Sequence, residues 1–210
     1  MATVTSPAER LVILEGVSWE TYERLLAEHE DQNGTRFTYQ EGRLEIMVLS
    51  ARHEQPNRIL AMLVEAIAEG LRIRLSPLGS TTFRRLELQK GFEPDSAYYV
   101  GRTSTLWGQE VDPAVDPPPD LMIEVDVTSS SLNRFPIFAA FGVPEVWRYD
   151  GSRVAIFRLE GGRYIEVQTS AILPPVTGAL ATQFLEESRE LPSDEWLERV
   201  RDWARAQRRS

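Results

Sequence analysis

The stretch PDLMIEVDVTSSSLNRFPIFAAFGVPEVWRYD, residues 119–150, decides the architecture. Its opening run, 120–127, alternates. Leu121, Ile123, Val125 and Val127 share one face of a strand, and Met122, Glu124 and Asp126 share the other, with Asp120 at the same parity. Ser129, Ser130, Ser131 and Asn133 offer caps for a short helix over about 134–141, which Gly142 and Pro144 stop. A second strand follows at 145–149.

Working outward, Ser18 caps a helix through Trp19, Tyr22, Leu25 and Leu26, with Gly34 beyond its end. Residues 36–40 and 43–49 read as a hairpin about Glu41-Gly42, in which Leu44, Ile46 and Val48 alternate against Glu45, Met47 and Leu49. Ile59, Leu60, Leu63, Val64, Ile67 and Leu71 recur at helical spacing and predict a helix from near His53 to near Arg74, with Pro56 in its first turn. Residues 81–88 and 95–100 read as strands joined through Lys90-Gly91, and 102–119 as a loop ending in three prolines. Strands follow at 153–159 and 163–167. Ser193 caps a last helix, about 193–207, striped by Trp196, Val200 and Trp203. Most strands lie beside near neighbours in sequence, which predicts an α/β or α+β layer fold with a central mixed sheet flanked by helices. A length of 210 residues predicts a single domain.

Composition narrows the chemistry. There is no cysteine, which excludes disulfides, thiolate nucleophiles and Cys-based metal sites. His29 and His53 are the two histidines, too few for a His-rich metal centre, and Lys90 is the only lysine. The fingerprints GxGxxG, GxxxxGK[ST] and GxSxG are absent. No apolar run approaches the ~18 residues of a membrane span, and MATVTSPAER lacks a secretion pattern, so the expectation is a cytoplasmic protein with no membrane partner. A net charge of −9 argues against nonspecific coating of nucleic acid but leaves room for a local arginine groove. The tryptophans read as core or interface.

The carboxylates carry the functional signal. Residues two apart on a strand are ~6.5–7 Å apart along it, so Glu124 and Asp126 are two acids on one face of a strand expected to be central. Burying them unpaired costs several kcal/mol each, and a divalent cation is one natural partner. Asp95, after Pro94, opens another strand. If the two strands pair, Asp95 and Glu124 converge on one ion, an arrangement suited to phosphodiester hydrolysis. The plainer alternatives are a turn residue for Asp95 and a solvated edge for Glu124 and Asp126. His53 with Glu54, at the start of the long helix, forms a secondary candidate pair.

Three stretches together, MVLSARHE at 47–54, GFEPDSAYYV at 91–100 and residues 119–150, resemble the Uma-type restriction endonuclease family of the PD-(D/E)XK nuclease superfamily. The likeness covers roughly 18–167. It implies a restriction-endonuclease-like core and Mg²⁺- or Mn²⁺-dependent cleavage of DNA. It also implies Asp95 as the acid of the first motif and Glu124 as the acid of the second, both as metal ligands. Where the superfamily pattern has lysine two residues beyond the second acid, this chain has Asp126, a candidate further ligand. The family's usual lysine, eight residues before the glycine of GVPE, is here Arg134, which keeps the charge but cannot serve as a base. Lys90 is the remaining candidate amine. A homodimer is the expected form for cutting a duplex. Two rival readings stay open: a catalytically weak or inactive relative that binds a partner, and a phosphoesterase acting on a smaller substrate.

Overall fold

A computed structural model describes residues 10–29, 34–48, 50–101, 116–126 and 133–208. Structural statements concern these. The expectations for Leu49, Trp107, Val127, Ser129, Ser130 and Ser131, and for most of the 102–119 loop, lie outside them.

In chain order the first elements are β1 (Arg10–Leu14), α1 (Trp19–Glu28), β2 (Thr35–Gln40), β3 (Arg43–Val48), α2 (Ala51–Leu71) and β4 (Leu75–Gly79). Next come β5 (Phe83–Arg85), β6 (Lys90–Phe92), β7 (Ser96–Val100), β8 (Leu121–Val125) and α3 (Phe135–Phe141). The chain closes with β9 (Glu145–Tyr149), β10 (Val154–Glu160), β11 (Arg163–Val167), α4 (Gly178–Glu187) and α5 (Ser193–Gln207).

The α/β character stands, but the strands divide between two sheets. The first runs β1-β3-β2-β6-β5 and the second β11-β10-β9-β8-β7-β4. Within the second, β8 and β9 pair in parallel across the α3 crossover, the connection parallel strands require. β8 is interior and all five of its residues are buried. Leu121, Ile123 and Val125 join the core formed with α2, α4 and α5, while Met122 joins a second cluster with Phe83, Phe92, Phe138 and Phe141. The alternation along this strand thus separates two cores, and Glu124 stands on the Met122 side.

Several boundaries differ from the sequence reading. The expected strand over 81–88 is β5 alone, followed by a 3₁₀ turn at Leu86–Leu88. β1, β4 and α4 are additional elements, and the expected connection through Lys90-Gly91 is itself a strand, β6, paired with β2 and β5. The first turn of α2 closes on the Ser50 carbonyl, which accepts from the amides of His53 and Glu54 at 3.0 Å each. Pro56 therefore lies in the second turn, not the first. Ser193 is the first residue of α5, and its cap position is Pro192. Trp19, Trp147 and Trp196 are core residues, as expected.

α5 lies along α2 at a close approach. A Cβ on Gly70 would come within 2.5 Å of the Ala204 Cβ, and Arg201 Nε pairs with Glu69 at 2.9 Å. Among the described residues, no helix is long and apolar enough to cross a membrane.

Candidate active site

The antiparallel ladder of β7 and β8 ends with Ser96 opposite Ile123. One residue further, the same register sets Asp95 opposite Glu124, so the two acids project from one face of neighbouring strands. The Val125 amide donates to Oδ2 of Asp95 at 2.7 Å, and His53 Nε2, from the head of α2, lies 3.2 Å from the same oxygen. Arg134, at the N-terminal boundary of α3, donates from Nη1 to Oε2 of Glu124 at 3.1 Å. Its Nη2 donates to Oε1 of Glu45 on β3 at 3.4 Å. The guanidinium therefore bridges a strand of each sheet. Oε1 of Glu124 is buried and, among the described residues, has no hydrogen-bond partner.

Among the described residues the buried carboxylates outnumber the cationic groups beside them: Glu45, Asp95 and Glu124 are 1%, 4% and 6% exposed, against the Arg134 guanidinium and the buried His53 imidazole. Burial strongly disfavours an ionised carboxyl, and so does a like charge nearby. Burial first, and then Asp95, push the Glu124 carboxyl up to about 8, against the pull of Arg134 and His53. Burial works against the charge on Arg134, yet Glu124, Asp95 and Glu45 together hold its pKa above the ordinary value. A buried surplus of negative charge takes up either a proton or a cation.

The donors suit a hard divalent cation. They are carboxylate oxygens, one of them is unpartnered, and Mg²⁺ is often held by one or two carboxylates with water completing its shell. Among the described residues, no three His, Asp or Glu side chains form a ready-made cage for an ion.

Of the residues singled out from sequence, Asp95, Glu124, Arg134 and His53 come together. Asp126 is engaged elsewhere: its carboxylate accepts from Arg148 at 2.8 Å, and its amide donates to the Tyr149 carbonyl. Glu54 is half exposed, 3.9 Å from Nδ1 of His53. The Lys90 amine is paired with Glu41 at 2.7 Å.

Glu45 was not singled out by the sequence reading. β3 is interior to its sheet, between β1 and β2. Leu44 is buried beneath α1, but Glu45 and Met47 on the opposite face are buried as well, while Val48 is 45% exposed. The available signal was a lone acid within the apolar run LEIMV at 44–48.

A family model described as "Uma2: Putative restriction endonuclease" matches residues 19–192, from the first residue of α1 to the residue before α5. No curated protein matches the chain.

Proposed function

The chain belongs to the Uma2 family, and on that premise we propose that it is a Mg²⁺- or Mn²⁺-dependent endonuclease hydrolysing DNA phosphodiester bonds at the Asp95–Glu124 pair. The observation that carries the reading is Oε1 of Glu124, buried beside Asp95 and without a hydrogen-bond partner among the described residues.

Asp95 and Glu124 are the residues that would hold the ion. A bound divalent ion polarises the scissile phosphate and makes a water nucleophilic at neutral pH. The protein's own groups do the rest. The Val125 amide and His53 fix the Asp95 carboxylate. Arg134, tied to Glu124 and Glu45, holds a permanent positive charge beside the site, where it offsets charge building on the phosphate. It stays protonated, so it takes no proton from the attacking water, and that proton would pass to solvent. Asp126 already accepts from Arg148, so the reading gives it no ligand role. Cutting both strands of a duplex needs two such centres, and the proposal extends to a cytoplasmic homodimer.

One observation favours a second reading. Arg134 stands where the family resemblance places lysine, and it occupies Oε2 of Glu124. A chain without a basic amine in its site suits a relative that binds nucleic acid without cutting it.

Supercoiled plasmid with Mn²⁺ separates the two readings. Nicked or linear product from the wild type and none from Glu124→Ala supports the nuclease. Equal cutting by both proteins means contamination. No cutting, with Mn²⁺ still bound in a calorimetric titration, leaves the binding protein.

A further inference from the structure

We infer that Asn57 is a positioning residue for the metal pair: from the second turn of α2 it holds the main chain of Asp95, as His53 one turn earlier holds its carboxylate. This rests on the reading of Asp95 and Glu124 as the ion's ligands.

Asp95 lies just before the first ladder residue of β7, and it follows Pro94, which has no amide hydrogen to give. The strand ladder alone therefore does not fix its backbone. Asn57 Nδ2 donates to the Asp95 carbonyl at 3.2 Å. Ser96 Oγ donates to Asn57 Oδ1 at 2.9 Å, which sets which way the amide points. His53 and Asn57 are four residues apart, so they share one helix face. Between them they seize Asp95 at two points, with His53 Nε2 at the carboxylate and Asn57 at the carbonyl. The Val125 amide completes the grip from β8.

The local sequence is poor for a helix at this turn. Asparagine is a weak helix former because its side chain competes for backbone hydrogen bonds, and Pro56 beside it removes a helical donor. Asn57 is buried, where the following positions Leu60, Leu63 and Val64 are apolar core. A buried amide placed against helix propensity, with its nitrogen on the Asp95 carbonyl and its oxygen on the Ser96 hydroxyl, marks a position suited to holding that carboxylate in place. Partners that orient a ligating carboxylate typically change metal affinity by about 10–100-fold when removed.

The test compares Mn²⁺ dissociation constants, by calorimetry or by the free-Mn²⁺ resonance signal, with melting temperatures. Asn57→Ala is expected to weaken Mn²⁺ binding by about tenfold. Ser170→Ala, a buried hydroxyl at Glu145, lowers the melting temperature without changing the Mn²⁺ constant. Ser96→Ala weakens binding less than Asn57→Ala, and the double variant is no weaker than Asn57→Ala alone, because the serine acts through the asparagine. In the metal-free protein, hydrogen exchange of the Val125 amide accelerates in Asn57→Ala beyond the general loss of protection. If Asn57→Ala does not fold, Ser96→Ala carries the same comparison. Wild-type Mn²⁺ affinity and unchanged Val125 exchange in a folded variant would overturn the inference. Absence of Mn²⁺ binding by the wild type, or equal binding by Glu124→Ala, would instead overturn the metal-pair reading on which it rests.

Discussion

The guanidinium of Arg134 donates to Oε2 of Glu124 at 3.1 Å, while Oε1 of that carboxylate is buried without a partner among the described residues. Half of the acid is committed and half is available. The committed half explains how the cluster folds without an ion, and the available half is where an ion would gain most.

Removing the cation should expose this dependence. Arg134→Ala leaves Glu124 and Glu45 buried without their shared guanidinium. Breaking one side of a buried pair costs about 3–5 kcal/mol, and urea unfolding of the metal-free variant should show a loss of that order. Mn²⁺ should restore part of it if the ion takes over the charge.

Arg134→Lys asks a different question. The side chain remains cationic but gains an amine that can exchange a proton and loses the planar fork that spans Glu124 and Glu45. Plasmid cleavage with Mn²⁺ is expected to rise above wild type, with lower stability. A rate unchanged or reduced would mean that the absent amine is not what limits hydrolysis.

Glu124→Gln should stabilise the metal-free protein while abolishing Mn²⁺ binding. The wild-type carboxyl is raised from 4.5 to about 8 on folding, by burial and then by Asp95. The folded form thus retains a proton that the unfolded form releases, so the group's contribution is fully present below about 4.5 and is lost as pH rises through about 8. Unfolding at pH 5 and pH 9 should show the advantage of the amide at the higher pH and little at the lower.

Lys90→Met should leave cleavage and Mn²⁺ binding intact, because the amine is paired with Glu41 and is not brought to the acidic pair. The exposed partner limits the stability change to under about 1 kcal/mol. Loss of cleavage in a variant with a normal melt would return Lys90 to the reaction.

Glu145, in the GVPEVW segment, predicts a structural effect alone. Its Oε1 accepts from Trp147 Nε1 at 2.8 Å and from Ser170 Oγ, and its Oε2 accepts from the Ala171 amide at 2.7 Å. Glu145→Ala strands three donors in the interior and should cost about 3 kcal/mol or more by denaturant melts, with Mn²⁺ affinity unchanged in the folded fraction.

The segment 119–150 was readable because its signals are local. Alternation defines β8, and Gly142 takes the left-handed conformation that ends α3, at φ 81°. The register that sets Asp95 against Glu124 was legible only as a conditional, since pairing across the 20 residues that separate β7 from β8 leaves no trace in either strand. β4 was hidden by Pro77, which argues against a strand interior; the structure accommodates it at a sheet edge, beside a register shift between Pro77 and Gly79. β1, reading RLVIL, has no alternation to separate strand from helix. Glu45 was missed for a deeper reason. Alternation shows that two faces differ, but which of them is covered depends on a second sheet that the hairpin itself does not announce.

The matched stretch stops at 192, and α5 begins at 193. That trailing segment nevertheless beds its Ala204 against Gly70, near the tail of a helix of 21 residues, about 30 Å long, whose head carries His53 and Asn57. The long helix behaves as a beam seated at both ends. A side chain added at Gly70 would pry up the far seat and tilt the near one, so damage well away from Asp95 would register as a slackened hold on it.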